Sequence, residues 1–409
     1  MDTERVIVIG AGHSGCKAAQ ALRKQGWTGP ITMVGKEGCA PYDRPPLSKA
    51  VLLGKKAHDQ CSFFPLDWYS KNGIDLVLGR IVTRIDAANK AVLLDNGEVH
   101  RYRKLLIATG AELNVLPVAG ADLAGVEALR TPDQAARIAA CLQEGKRIVV
   151  IGAGFIGLEV AAAAIEKKCH VEVVEAAPVA LGRSLPATVS DALISFHRAK
   201  GVGFRFGTGV SAIEGTSHAE CVVLSDGSRI PCDSMVYGIG VRPSTNLARD
   251  AGLAVENGIV VNKYLQTSED DIFACGDVTN YFCGLFNQPM RMESWKNAEE
   301  QAEVVARNII GQSVSYEHVP WFWSNQYDLT LQVAGLPALG TRHTERSVGS
   351  SKLYLSQTDD GKVVGVCGLG SVREIAMPMR QAKNLVQTRH HVDASEFADE
   401  SRPLEPLAD

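Results

Sequence analysis

The chain has 409 residues, of which 45% are hydrophobic, and its formal net charge is −4. This length predicts roughly two to three domains with real cores, and the nearly balanced charge gives no indication of a nucleic-acid partner. Ten cysteines are scattered without metal-ligand spacing, and no segment reaches the apolar length of a membrane span. The first apolar run is too short for a signal peptide, so the sequence predicts a soluble, cytoplasmic protein.

A glycine-rich motif follows the first predicted strand. Residues 5–9 form a β-branched run, GAGHSG occupies residues 10–15, and an alanine-rich helical segment leads to a strand at residues 31–34. Glycines here permit a tight turn and the close approach of a pyrophosphate, which binds where the helix N-terminus favours negative charge. The order of these elements predicts a dinucleotide-binding unit.

A proline-punctuated segment, PYDRPPLSK, occupies residues 41–49. The prolines predict an extended or turn segment, and we expect a short helix to begin at Ser48. Arg44 and Lys49 are suited to neutralise a pyrophosphate, although the segment could also be a plain surface loop. Residues 77–95 are typical of a β-meander, and KLLIATG at residues 104–110 predicts a buried strand whose terminal turn lets the backbone approach a cofactor.

The same device recurs at residues 146–175. A β-branched run at 147–151 precedes GAGFIG at 152–157, an alanine-rich helix and a second run at 170–174. Glu175 then supplies the acidic side chain that accepts hydrogen bonds from ribose hydroxyls, and its charge repels a 2′-phosphate, which favours NAD(H) over NADP(H). The alternative is a set of glycines that only packs a helix on a strand. A meander at 221–230 and a strand at 234–240 complete an internal repeat of architecture.

The remaining chain returns to the first fold and then changes composition. Residues 267–277 predict a turn, a short buried strand and an exposed Gly-Asp, and β-branched alternation from residue 320 predicts a small sheet. We expect an acidic, poorly ordered tail at residues 394–409. The predicted fold class is α/β, with two Rossmann-like dinucleotide-binding domains and a small α+β C-terminal domain. The predicted domains are residues 1–110 with 244–319 for one dinucleotide, 111–243 for the other, and 320–409; one dinucleotide can be a flavin and the other a nicotinamide.

These motifs together resemble those of a known family. GAGHSG, PYDRPPLSK, ATG at 108–110, GAGFIGLE at 152–159, GIGVRP at 238–243, TSEDDIFACGD at 267–277, ESW at 293–295 and PWFWSNQYD at 320–328 are its markers here. The chain resembles the two-dinucleotide flavoprotein reductases of the glutathione-reductase fold. It is most similar to the ferredoxin-reductase components of bacterial aromatic-ring oxygenase and cytochrome P450 systems. Rubredoxin reductases and apoptosis-inducing factor are related, and PPLSK together with ESW is specific to this branch.

The resemblance implies the cofactors FAD and NADH, with no metal, and a set of contacts for each. For FAD these are Gly10, Gly12, His13, Ser14, Gly15, Glu37, Arg44, Lys49, Val82, Ala108, Thr109, Gly110, Arg130, Asp277, Glu293 and Trp295. For NAD they are Gly152, Gly154, Phe155, Ile156, Gly157, Glu159, Glu175, Arg183, Ile239 and Gly240. The implied catalytic residues are Lys49, Glu159 and Trp295.

One position departs from the family pattern. The family places an acidic residue just after the second strand to bind the adenosine ribose of FAD, and this chain has Lys36 there. Either Glu37 takes the role through a small shift, or that hydrogen bond is absent. We favour Glu37.

The resemblance also implies a reaction. Hydride passes from nicotinamide C4 to flavin N5, and electrons leave singly to a [2Fe–2S] ferredoxin of the Rieske or plant type. We expect Lys49 and Glu159 to form an ion pair near N5, as in apoptosis-inducing-factor relatives; the alternative is two unrelated surface charges. Docking of an acidic ferredoxin on a basic patch, a monomer or weak homodimer, and no nucleic-acid or membrane partner complete the expectation.

Two other functions are open. Cys39, shortly before Pro41-Tyr42, resembles the redox cysteine of single-cysteine disulfide or peroxide reductases of this fold, but its spacing is one residue short. From another class, the chain could be a redox-inert signalling flavoprotein, which the absence of a targeting peptide and of a basic DNA-binding patch does not favour.

Overall fold

The computed structural model describes residues 4–389 and 391–404. They form two compact units, the first from residues 4–43, 59–112 and 241–318, and the second from residues 44–58, 113–240 and 319–404. No described helix is long and apolar enough to cross a membrane. The helices in chain order are α1 His13–Lys24, α2 Leu66–Lys71, α3 Pro132–Cys141, α4 Phe155–Glu166, α5 Ala187–Ala199, α6 Asn246–Asp250, α7 Trp295–Ile309, α8 Val372–Thr388 and α9 Ala394–Ala398.

The first unit is built on a five-stranded parallel sheet with α1 and α7 packed against each other. In spatial order its strands are Ile272–Ala274, Lys104–Ile107, Val6–Ile9, Ile31–Gly35 and Ile74–Leu78. The central strands are buried along their whole length, as β-branched runs covered on both faces should be. Two small sheets accompany it: Val82–Asp86, Ala91–Leu94 and Val99–Arg101, then Ile259–Val261, Thr279–Cys283 and Gln288–Met290.

The predicted meander at residues 77–95 is partly wrong. Val77 and Leu78 pair in parallel with Val34 and Gly35, so they belong to the main sheet. The meander proper begins at Val82 and extends to Arg101. Periodicity cannot separate a parallel edge strand from a following hairpin, because both present short apolar runs.

The second unit repeats this plan. Its parallel sheet has the order Gly203–Phe206, His170–Glu175, Arg147–Ile151, Ser234–Tyr237 and Val126–Ala128. An antiparallel meander of Val210–Glu214, Cys221–Leu224 and Arg229–Pro231 packs beside it, and the two share one apolar cluster that includes Val149, Val222 and Met235. The predicted repeat of architecture is therefore present.

The second unit also contains a five-stranded antiparallel sheet. Its order is Trp321–Gln326, Leu329–Gly335, Val363–Gly370, Ser351–Gln357 and Arg342–Val348, and α8 packs on its central strands. The predicted fold class is confirmed. The division into three domains stays a prediction, because the compact units group this sheet with the second dinucleotide fold.

The expectation of a poorly ordered tail is wrong for residues 394–404. These residues include α9, in which the Phe397 side chain is fully buried. The buried Arg346 guanidinium donates to the backbone carbonyls of Phe397, Glu400 and Arg402. Burial of an aromatic ring and a cation capping three carbonyls offset the cost of ordering a polar segment. Residues 405–409 lie outside the described residues.

Candidate functional site

The first glycine loop lies in the first unit, between the strand Val6–Ile9 and α1. Gly10 has φ +111°, and a Cβ on it would lie 2.2 Å from the Ala108 carbonyl oxygen, so no larger residue fits. A Cβ on Gly15 would lie 2.0 Å from the Gly10 oxygen, which explains the close packing of helix on strand. At Gly12, in contrast, no described atom outside its two chain neighbours lies within 4 Å of that position. The outer glycines shape the turn, and the middle one opens the backbone to a ligand such as a pyrophosphate.

His13, in the same loop, is packed between aromatic rings. Its centroid lies 4.5 Å from that of Trp295 and 4.9 Å from that of Phe63. Burial, followed by the charges of Lys17 and Lys296, lowers the pKa of His13 to about 3, so the ring is neutral at pH 7. Its Nε2 is buried and has no hydrogen-bond partner among the described residues, which fits a polar cofactor group beside it.

The residues that follow the second strand include the two candidates for binding the adenosine ribose of FAD. Lys36 is exposed, whereas Glu37 is half-buried and its Oε2 accepts a hydrogen bond from the Tyr42 hydroxyl at 2.7 Å. Val82 is buried at the start of its strand. A carboxylate turned inward is the better acceptor for ribose hydroxyls, so Glu37 stays the preferred candidate.

The same edge of the first sheet brings distant predicted residues together, because the carboxyl ends of its parallel strands meet there. Gly276 is so close to Ser14 that a Cβ on it would lie 2.4 Å from the Ser14 hydroxyl, which places Asp277 beside the first loop. The Gly276 N–H donates to Gln301 Oε1 at 2.7 Å, and Thr109 Oγ1 donates to the Ser244 carbonyl at 2.9 Å. These bonds tie the turn after each strand to a neighbouring element.

Trp295 is the first residue of α7. Its indole N–H donates to Asp43 Oδ1 at 2.8 Å, so the ring is held by the proline-punctuated segment. Ser294 caps the helix by accepting from the Asn297 N–H, and Glu293 forms an ion pair with Arg291. The predicted cofactor residues 293 and 295 thus flank a helix start of fixed geometry.

The second glycine loop has the same geometry within the second unit. Gly152 has φ +100°, and a Cβ on it would lie 2.4 Å from the Gly238 oxygen; the corresponding distance from Gly157 to the Gly152 oxygen is 2.0 Å. No described atom lies within 4 Å of a Cβ on Gly154. The Glu175 carboxylate accepts from the Ala153 N–H at 2.8 Å, which places it against this loop, where a ribose would be recognised.

The other predicted nicotinamide residues lie nearby or on the surface of the same unit. Phe155 opens α4 and packs edge-on against Phe322, with centroids 4.9 Å apart. Ile156 and Arg183 are exposed, and Gly240 follows Ile239, whose carbonyl accepts from the Asn114 amide at 3.1 Å. The Arg44 guanidinium donates to the Arg130 carbonyl, which brings two predicted FAD residues together.

The predicted ion pair between Lys49 and Glu159 is present. Lys49 Nζ lies 2.6 Å from Glu159 Oε2, and the Glu159 side chain is only 3% exposed. The same oxygen accepts from the Ser48 hydroxyl, and Oε1 accepts from Ser324 Oγ at 2.6 Å. The expected helix start at Ser48 is wrong: a 3-10 helix spans Pro45–Ser48, because proline fits the first position of a helix.

None of the ten cysteines forms a disulfide with another described residue. Burial raises the pKa of Cys16 to about 11 and of Cys275 to about 12, so these thiols are inert at neutral pH. Cys39 is half-buried in the loop after the second strand. Within the described ranges, no group of three or more His, Cys, Asp or Glu side chains could hold a metal ion.

Sequence reasoning missed several residues that the fold places at these positions. Asp43 could have been found, because it lies inside the PYDRPPLSK motif. Ser324 likewise lies in the PWFWSNQYD motif. His197 and Gln301 carry no local signal, since their partners lie far away in the chain.

Two family models match the chain. The model described as "Pyridine nucleotide-disulphide oxidoreductase" matches residues 4–302, and the model described as "Reductase C-terminal" matches residues 321–408. The chain belongs to the pyridine nucleotide-disulphide oxidoreductase family. The resemblance inferred from the motifs is therefore confirmed.

Similar members of the family match over nearly the whole chain. Rhodocoxin reductase from Rhodococcus erythropolis is 38% identical over 402 residues, which are 98% of this chain and 91% of the relative. The ferredoxin–NAD(+) reductase component of the anthranilate 1,2-dioxygenase system from Burkholderia cepacia is 36% identical over 98% of each chain. The crystal structure of the covalent putidaredoxin reductase–putidaredoxin complex matches with a TM-score of 0.94 at 35% identity, covering 100% of this chain and 98% of that chain.

Proposed function

We propose that this chain is an NADH-dependent flavoprotein reductase that passes electrons through FAD to a [2Fe–2S] ferredoxin of an oxygenase system, of the Rieske or the cytochrome P450 type. The two glycine loops of matching geometry, one in each unit, carry this proposal. Its partner follows from the relatives, which are named rhodocoxin reductase and ferredoxin–NAD(+) reductase component.

The two loops take different cofactors. FAD binds at the first loop, where Ser14, Thr109 and Asp277 offer polar groups and Trp295 offers a flat apolar face. NADH binds at the second loop, where the charge of Glu175 disfavours the 2′-phosphate of NADPH. The remaining predicted contacts keep the roles that the family resemblance implies.

The cofactors supply the redox chemistry, since NADH donates a hydride and a flavin can release its electrons singly. The chain binds and orients them. We assign Lys49 as the cation that stabilises negative charge on the flavin. Lys49 and Glu159 compensate each other, because the buried Glu159 charge would cost several kcal/mol without a partner.

Charge complementarity supports the proposed partner, and the redox state of the cysteines supports the proposed compartment. We propose a Rieske or plant-type ferredoxin that docks by charge complementarity, so that the rate of its reduction falls as salt rises. We also propose a cytoplasmic location, supported by ten free cysteines, which persist in a reducing compartment. The chain acts as a monomer or weak homodimer.

An anaerobic titration of the purified flavoprotein with NADH tests the reaction. We expect about two electrons per flavin, because the flavin is the only redox centre, and a long-wavelength charge-transfer band from bound NAD⁺. The reduced protein should then reduce a [2Fe–2S] ferredoxin, with NADPH a much poorer donor than NADH.

Other outcomes favour the other functions. Uptake of about four electrons that returns to two in Cys39→Ser would identify a cysteine redox centre and a disulfide or peroxide reductase. A flavin that NADH does not reduce would favour the redox-inert signalling protein.

A further inference from the structure

A chain of buried polar side chains runs through the second unit and ends at Glu159. Ser324 Oγ donates to Glu159 Oε1 at 2.6 Å, and Gln326 Nε2 donates to Ser324 Oγ at 3.0 Å. His197 Nε2 lies 2.5 Å from Gln326 Oε1, and the Tyr327 hydroxyl lies 3.2 Å from His197 Nδ1. Ser324, Gln326 and His197 are all at least 98% buried.

Strand and helix geometry produce this alignment. Every second residue of the strand Trp321–Gln326 lies on the same face, which places Phe322, Ser324 and Gln326 together. Their spacing along the strand is about 6.6 Å per two residues. Phe155 and Glu159 lie one turn apart on α4, about 6 Å along its axis. The two spacings match, so Phe322 meets Phe155 while Ser324 meets Glu159.

The donors and acceptors of these side chains allow only one direction of donation along the row of hydrogen bonds. A carboxylate can only accept, so the Ser324 hydroxyl must donate to Glu159, and its oxygen is then the acceptor for the Gln326 amide nitrogen. That orientation turns Gln326 Oε1 toward His197, which must carry its proton on Nε2. Burial lowers the pKa of His197, so the ring is neutral and Nδ1 is the acceptor for the Tyr327 hydroxyl. Every hydrogen therefore points toward Glu159.

Tyr327 lies in the two-residue turn between the strands Trp321–Gln326 and Leu329–Gly335. Tyr327 has φ +57°, a left-handed conformation that costs an aromatic residue on the order of 1 kcal/mol or more. That conformation is held in the hairpin turn where the Tyr327 hydroxyl reaches His197. Apolar residues of similar volume would fill this region without the desolvation cost of buried polar groups.

We propose that Ser324, Gln326 and His197 are positioning residues that hold the Glu159 carboxylate directed at Lys49. The Ser324 donor occupies Oε1 and fixes the carboxylate plane, which leaves Oε2 for Lys49 and Ser48. The effect on electron transfer rests on the proposed function, in which Lys49 acts on the flavin. The direction of the hydrogen bonds does not depend on the proposed function.

The histidine tautomer tests the direction in the intact holoprotein. Nitrogen-15 NMR of histidine-labelled protein, with the His197 signals assigned by their loss in His197→Gln, should show a neutral ring protonated at Nε2 with a hydrogen-bonded Nδ1. A ring protonated at Nδ1 would overturn the proposal. The Gln326 amide would then be reversed, and the hydrogen bonds would be donated away from Glu159. This readout does not depend on NADH, on ferredoxin or on turnover.

A double-mutant cycle tests the coupling to Glu159, with the rate of flavin reduction by NADH in single turnover as the measurement. Ser324→Ala should slow reduction on the order of tenfold, the value of one hydrogen bond to a charged group, and Ser324→Thr should restore it. In a Glu159→Gln background, Ser324→Ala should have little further effect. Ser190→Ala is the matched control, since Ser190 is equally buried and donates only to the Ala180 carbonyl.

Two kinetic results would contradict the proposal. One is a Ser324→Ala variant as fast as the native protein; the other is a loss of equal size with and without the Glu159 carboxylate. If NADH fails to reduce the flavin at all, the proposed function is wrong. The His197 tautomer still shows in which direction the hydrogen bonds are donated.

Discussion

At the scale of single residues, Glu159 is a carboxylate that is almost out of solvent and surrounded by donors. Lys49 Nζ lies 2.6 Å away, and the hydroxyls of Ser48 and Ser324 bind its two oxygens. Removing such a group from water costs several kcal/mol, which charge-assisted hydrogen bonds must offset. A protein that only needed stability would do as well with apolar side chains here, so the pair is best explained by a chemical role.

Replacement of Lys49 by methionine tests that role. Lys49→Met should slow flavin reduction by NADH at least on the order of tenfold, because it removes the cation that we propose stabilises negative charge on the flavin. It should also lower the free energy of unfolding by about 3 kcal/mol, because Glu159 is left as a buried charge without its partner. Stopped-flow reduction and denaturant unfolding measure the two effects.

Lys55→Met is the matched control for this variant. Lys55 also pairs with a carboxylate of α4, that of Glu166 at 3.0 Å, but its side chain is 64% exposed. An exposed pair contributes little, so neither measurement should change much. Equal rates for Lys49→Met and the native protein would remove Lys49 from the mechanism.

At the scale of elements, each strand–loop–helix unit divides its three glycines between two tasks. Gly10 and Gly15 are required by packing, since a Cβ on either would overlap a backbone oxygen. Packing against the described residues does not require a glycine at position 12, and the same holds for Gly154 in the second unit. In a turn between a strand and a helix N-terminus, such an open glycine is best explained by the approach of a pyrophosphate.

Gly12→Ala separates folding from cofactor binding. The variant should keep its melting temperature without cofactor but bind FAD on the order of tenfold or more weakly, because the new methyl group occupies the approach of the pyrophosphate. Reconstitution with FAD, followed by flavin fluorescence, gives the dissociation constant.

Two other glycines serve as comparisons. Gly284→Ala places a methyl group in similarly open space, far from the loop in sequence, and should change neither property. Gly15→Ala should unfold or fail to accumulate, because its Cβ would lie 2.0 Å from the Gly10 oxygen. Native affinity in Gly12→Ala would disprove the assignment of the loop to FAD.

At the scale of the whole molecule, the carboxyl-terminal segment is part of the packed second unit. Phe397 is fully buried and Arg346 binds three carbonyls of residues 397–402. The sheet that receives this segment also contributes Ser324 and Phe322 to the surroundings of α4. The C-terminal segment and Ser324 therefore lie at the two opposite edge strands, Arg342–Val348 and Trp321–Gln326, of one sheet.

Phe397→Ala should lower the free energy of unfolding by about 3–5 kcal/mol, because a large ring leaves a cavity that the sheet cannot fill. Urea unfolding followed by circular dichroism measures the change. Glu400→Ala, an exposed neighbour whose interaction with Arg346 uses only its backbone carbonyl, should be nearly neutral. A Phe397→Ala protein as stable as the native one would return the segment to the disordered tail that its composition suggests.

The sequence by itself determined the features that rest on short-range order. The two strand–glycine–helix units, the acidic Glu175 and the family motifs were all readable, because each depends on residues close together in the chain. Composition misled at residues 394–404, since it does not register a single buried ring such as Phe397. Only the tertiary structure decided which distant side chains meet. Ser324 and His197 are 165 and 38 residues from Glu159 in the chain, and the hydrogen bonds that link them form only when a strand of the C-terminal sheet packs on α4.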